Sequence, residues 1–123
     1  MAVRRPVHPG AVFLALLVGA AWLGHAAAAP RAQSALECGV AADMAVVARS
    51  LAQEKVQQPK AVAIMSRIYD VAASERAKQL MDDILAAAYS GAEEESSQKF
   101  AEKLFGTCMK SGGDMDRVLG QHL

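Results

Sequence analysis

Cys38 and Cys108 are the only cysteines in the chain, and they bracket nearly all of its helix-forming sequence. A thiol can serve as nucleophile, metal ligand or half of a disulfide, and the choice turns on what stands beside it. Nucleophilic use needs a histidine or comparable base. Of the three histidines, His8 and His25 lie within the first 28 residues and His122 is penultimate. No Cys-x-x-Cys or His-x-x-x-His pair is present to hold zinc, and no calcium-loop spacing occurs. Free thiols are the alternative to pairing. Pairing is the reading adopted: one Cys38–Cys108 disulfide tying the first helix to the last. It would close a loop of about 70 residues and remove roughly 4 kcal/mol of unfolded-state entropy.

The remaining candidates for chemistry read as structural. Asp82-Asp83 is a carboxylate pair of the kind acid–base catalysis uses. Neighbours on a helix point roughly 100° apart, however, and do not converge on one substrate. Met44, Met65, Met81, Met109 and Met115 carry sulfur that suits Cu(I). The first three sit singly inside apolar stripes, where methionine fills gaps in a core. Gly112-Gly113 follows no strand and precedes no lysine, so it terminates a helix and does not cradle a phosphate. Neither catalytic residues nor a cofactor or metal site is expected. The protein reads as a non-enzyme.

Composition points to export. Arg4 and Arg5 precede the apolar run Ala11–Leu23, and Ala26-x-Ala28 follows. A positive start, an apolar middle and a small-residue end make a secretory signal peptide, with cleavage expected after Ala28. The alternative is an uncleaved anchor helix, since the run is only slightly shorter than the roughly 20 residues that span a bilayer. Cleavage would remove Arg4 and Arg5 and leave 11 basic residues against 13 acidic ones. A nearly neutral surface without a basic stripe excludes nucleic acid as partner. Contact with a membrane is expected only through the signal segment. Two cysteines in an exported chain pair, and the compartment implied is periplasmic or extracellular.

What must position these residues is a single helical domain over 29–123, following the signal peptide at 1–28. Pro30–Gln33 reads as a loose leader tail. Ser34-Ala-Leu-Glu37 forms a capping box that opens a helix running to about Val56. Leu36, Val40, Met44, Val47 and Leu51 line one apolar stripe, and Cys38, Ala41, Ala45, Ala48 and Ala52 form an adjoining small-residue face. Asp43, Arg49, Ser50 and Gln53 occupy a narrow polar sector, so this helix should be central and covered on two sides.

Pro59 suits the first turn of a second helix, with Ala61, Ile64, Met65, Ile68 and Ala72 as its face. From Ala77 the stripe changes phase to Leu80, Met81, Ile84, Leu85 and Ala88. That requires a break near Asp70–Ser74, with Ser74 as the next cap. The third helix stops at Ser90-Gly91. Glu93–Glu95 open a fourth helix at the positive end of its dipole, with Phe100, Leu104, Phe105 and Cys108 sharing one face. Ser111-Gly112-Gly113 ends it, and Asp114 caps a short turn that folds Met115, Val118 and Leu119 back. No alternating strand pattern appears. The expected fold is all-α: a small four-helix bundle plus a short C-terminal turn, stapled by one disulfide.

Cys38 with Ala42, Ala45 and Ala48, then Ala88-Tyr89, then Phe100 to Cys108, resemble the pattern of small exported proteobacterial helical proteins of uncharacterised function. The architecture is also similar to periplasmic acid-stress chaperones, and to periplasmic immunity proteins that neutralise cell-wall amidases; for the latter the residues are Phe105-Gly-Thr-Cys108 through Asp116. The resemblance implies a periplasmic protein acting by contact with a protein partner, chaperone-like or stress-related. The alternatives are a dedicated inhibitor or immunity protein for a cell-wall-active effector, and an uncleaved membrane-anchored structural protein.

Overall fold

The computed structural model describes residues 29–121. The expected signal peptide at 1–28 and His122 lie outside the described residues. The chain forms α1 (Ala35–Gln53), α2 (Gln58–Tyr69), a 3-10 turn (Val71–Ala73), α3 (Glu75–Ser90), α4 (Ser97–Lys110) and a short α5 (Asp116–Leu119). Among the described residues there is no strand, and no helix is long and apolar enough to cross a membrane. The all-α bundle is therefore as expected.

Local signals set most boundaries. The Ser34 hydroxyl accepts the Glu37 amide at 3.2 Å, and the Glu37 carboxylate accepts the Gln33 amide at 3.0 Å. Two amides at the start of α1 are thereby satisfied. At the other end, the Val56 amide donates back to Leu51 at 3.0 Å and the Lys55 amide to Ala52 at 3.1 Å. This is the paired closure that normally ends on glycine, with Lys55 held at φ 64°. The helix therefore stops at Gln53, short of Val56. Lys55→Gly is expected to raise stability by about 0.5–1 kcal/mol by removing left-handed strain. Lys55 also meets Glu93 at 3.3 Å with both side chains exposed, a contact worth little. Urea unfolding measures the balance, and a net loss would mean that the ion pair outweighs the strain.

The break between α2 and α3 lies where the change of phase placed it. Asp70 sits at φ 47°, the 3-10 turn follows, and the Ser74 hydroxyl caps α3 by accepting the Ala77 amide at 3.2 Å. Leu80, Met81, Ile84, Leu85 and Ala88 are all buried. On α2 only Ala61 and Met65 are buried, and Ile68 is exposed. That helix lies against the edge of the bundle.

The start of α4 differs from expectation. Glu93–Glu95 lie in the turn before it, and Ser96 is the cap, its hydroxyl accepting the Lys99 amide at 3.1 Å. Ser96 offers a short acceptor beside the helix start, and leaving the glutamates outside avoids stacking like charges on one turn. Phe100, Ala101, Leu104 and Cys108 are buried. Phe105, expected beside them, is exposed, and Ala101 holds the face instead.

α1 departs from expectation at Arg49 and at the start of its large apolar stripe. Its buried residues are Cys38, Ala41, Met44, Ala45, Ala48, Arg49 and Ala52. The small-residue face points inward toward α4, as expected. Of the large apolar stripe Met44 is buried and Val47 and Leu51 pack against the core, while Leu36 is 78% exposed and Val40 37%. α1 is central as expected, packing chiefly against α4, then α3, then α2. Alanine lets those helix axes approach closely, and the Cys38–Cys108 disulfide, with Cα atoms 5.7 Å apart, fixes which face of α1 meets α4. Leucines at the same contact would hold the helices apart.

The tail before α1 is fixed, not loose. Arg31 donates to Asp83 at 2.9 Å, to Asp116 at 2.8 Å and to the Gly120 carbonyl at 2.8 Å. The Ala32 amide donates to the Gly113 carbonyl at 3.2 Å, and Ala32 is fully buried. Gly113, at φ 95°, lies so close to the Ala32 carbonyl that any side chain there would collide with it. Both ends of the fold thus meet at one point. As expected, Met115 is buried, and Val118 and Leu119 fold onto the core.

Candidate protein-contact surface

The disulfide is the sequence-predicted site that the structure does bring together: Cys38 on α1 joins Cys108 on α4, both buried. A disulfide of this kind fits an oxidising compartment. Asp82 and Asp83 are committed elsewhere, Asp83 to Arg31 and Gln79, and Asp82 to a loose pair with Lys78 at 4.0 Å. Among the described residues no group of three or more histidine, cysteine, aspartate or glutamate side chains is placed to hold a metal ion.

Arg49 was expected in the polar sector and is instead 2% exposed. It donates to the carbonyls of Ala88 at 2.8 Å and Ala87 at 3.4 Å, both in the last turn of α3, and to that of Glu95 at 2.7 Å. Its guanidinium lies 4.2 Å from the centre of the Phe100 ring. The last carbonyls of a helix lack partners within it and carry its negative end, so a buried cation there is well placed. Burial pushes the Arg49 pKa down, and Glu95 and Glu94 oppose this. Arg49 therefore joins α1, α3 and α4 and holds the face of α1 that points inward.

The consequence is an apolar outer surface. Beyond Leu36 and Val40, α1 exposes Val46 (39%), and α4 exposes Phe105 (41%) and Met109. Between the two helices runs an open groove of about 360 Å³ with Ala42, Val46, Ala101 and Phe105 among its walls. On the other flank of α1 a smaller hollow of about 200 Å³, lined by Val40, Met44, Ala77 and Leu80, is rimmed by Glu37 and Arg76. Those rim residues pair at 2.8 Å. The Arg76 hydrogen bond, helped by the Gln33 amide, lowers the Glu37 pKa. The contribution is present at neutral pH and is lost as pH falls below the ordinary carboxylate range. It is small, because the pair is solvated.

No protein-family pattern, curated protein or solved structure matches this chain. Function must be argued from the surface itself.

Two tyrosines hold the peripheral helix α2 in place. The Tyr69 hydroxyl at its end donates to Asp43 on α1, and the Tyr89 hydroxyl on α3 donates to the Val56 carbonyl at 2.6 Å, in the α1–α2 connection. Burial raises both phenol pKa values, and for Tyr69 the Asp43 carboxylate adds to the rise. A folded pKa above the unfolded one stabilises below the ordinary value of about 10 and is lost as pH climbs through the folded value. Absorbance titration should therefore show both tyrosines ionising above the ordinary value, Tyr69 the later of the two. A phenol that titrates normally in the folded protein would contradict these bonds.

Proposed function

We propose that the protein is a non-enzymatic, chaperone-like binder of the periplasm or of secreted fluid, which holds apolar segments of other proteins against the outer face of α1 and α4. The observation that supports this is the orientation of α1. It buries alanines and an arginine while Leu36, Val40 and Val46 are exposed, and Val46 lines one groove with Phe105 of α4. Burying a leucine or valine is worth about 1.5–3 kcal/mol, so those left at the surface forgo that gain, and exposed apolar patches mark contact surfaces. Export through the signal peptide at 1–28 and the disulfide are consistent with work outside the cytoplasm.

Suppression of aggregation of a denatured model client tests the reading. The protein should slow light scattering, and a Leu36→Ser/Phe105→Ser double variant should lose most of that effect while melting within a few degrees of the parent. Lys60→Ala, an exposed change on α2, should behave as the parent does. Equal protection by the double variant, or no protection by the parent, would refute the proposal.

A further inference from the structure

We infer that the segment held in the groove between α1 and α4 is an amphipathic helix carrying lysine or arginine beside its apolar stripe. This rests on the protein-contact reading above and adds the chemistry of the partner. The groove is flanked by Asp43 on the α1 side and Glu102 on the α4 side, and no lysine or arginine lines it. Among the described residues neither carboxylate is in an ion pair: Asp43 accepts the Tyr69 hydroxyl, and Glu102 accepts the Gln98 amide at 3.2 Å. The only basic residue of α1 is Arg49, which is buried away from this surface. The lysines of α4, Lys99, Lys103 and Lys110, lie roughly 120–160° around the helix from Phe105 at 100° per residue. Charge is thus segregated, with acid at the groove and base on the far side.

Shape fits the same occupant. From Gln98 to Phe105 the groove runs about 10 Å at 1.5 Å per residue, or two helical turns. A helix seated there would place apolar side chains at i, i+3 or i+4 and i+7 onto Val46 and Phe105. Gly39, with nothing within 4 Å of where a side chain would begin, and Ala42 keep that side of the groove low enough for a backbone to lie close. An anionic lipid surface is disfavoured by the same carboxylates. Basic residues flanking the apolar stripe would meet Asp43 and Glu102 on either side, giving register as well as attraction.

Two synthetic helical peptides of about 18 residues, with the same leucine stripe and either lysine or glutamate on the polar face, make the test. Binding to the purified full-length protein is followed by fluorescence anisotropy of a dye on each peptide. The leucine–lysine peptide should bind at least about tenfold more tightly than the leucine–glutamate one, a difference of about 1.4 kcal/mol, and the preference should shrink with added salt. Glu102→Lys should weaken the leucine–lysine peptide about tenfold, Phe105→Ser should weaken both peptides, and Glu54→Lys, the same charge change away from the groove, should matter by no more than about twofold. Equal or tighter binding of the glutamate peptide, still lost in Phe105→Ser, would overturn the basic partner and leave the contact reading standing. Binding of neither peptide, or binding indifferent to both groove variants, would overturn the helical occupant. Self-association abolished by Phe105→Ser would assign the groove to a second copy instead. The client assay decides the contact reading separately.

Discussion

Replacing Cys38 and Cys108 together by alanine is expected to lower stability by about 4 kcal/mol, the chain entropy released when a loop of about 70 residues opens. The whole stability of a domain this size is only about 5–15 kcal/mol. Tm should fall by roughly 20 °C. Alanine suits both positions, because Cys38 and Cys108 are buried in an apolar contact between α1 and α4 and serine would add an unsatisfied hydroxyl. The loss acts mainly through the unfolded state, so the denaturant slope should steepen as the unlinked chain expands. Reduction of the parent protein by dithiothreitol should reproduce the shift. A double variant that melts within a few degrees of the parent would show that packing alone holds α1 to α4.

The second large effect is expected at Arg49. Arg49→Ala removes the donor to the Ala88, Ala87 and Glu95 carbonyls and the cation over Phe100. Buried carbonyls left without partners cost about 1–3 kcal/mol each, and the gap beneath the removed side chain adds to this. Ala87 keeps other donors, since the Gly91 amide and the Ser90 hydroxyl also reach its oxygen. The net loss should therefore be about 3 kcal/mol. Arg49→Lys should lose about half of that, because a single ammonium cannot span three carbonyls and stack on a ring. Thermal melts at neutral pH read both values. Indifference to Arg49→Ala would mean that the residue does not fix the rotation of α1.

The two cysteines were legible because they fell on small-residue or core-facing positions of two helices, and the α2–α3 break because Met65 and Leu80 belong to stripes that no straight helix could bury together. The exposure of Leu36 and Val40 and the burial of Arg49 were not legible in the hydropathy of α1. Leucine and valine outrank alanine on any transfer scale, and that ranking takes no account of how closely helix axes approach. One signal was available. Arg49 follows Cys38 by 11 residues, which at 100° per residue places it roughly 20° from the disulfide's face. The cysteine pairing thus implied that the arginine turns inward. The carbonyls it meets lie 38 to 46 residues away, and no local pattern could name them. The fixing of Arg31 escaped for the same reason, since Asp83 and Asp116 are 52 and 85 residues distant.

Phe105 is instructive in a different way. It shares a stripe with Phe100, Leu104 and Cys108, yet its neighbour Ala101 takes the inward position. On both helices an alanine lies inside while a larger apolar side chain, Leu36 or Phe105, is exposed. An apolar surface is left by what the interior does not take.

Hydroxyl-radical footprinting of the folded protein measures that surface most directly. Leu36 should be modified nearly as fast as in the unfolded chain and Phe105 and Met109 at a sizeable fraction of that rate, while Met44, Met65, Met81 and Phe100 stay protected until unfolding. If Leu36 and Phe105 prove as protected as Leu104, α1 is turned the other way, and the binding face described for it does not exist.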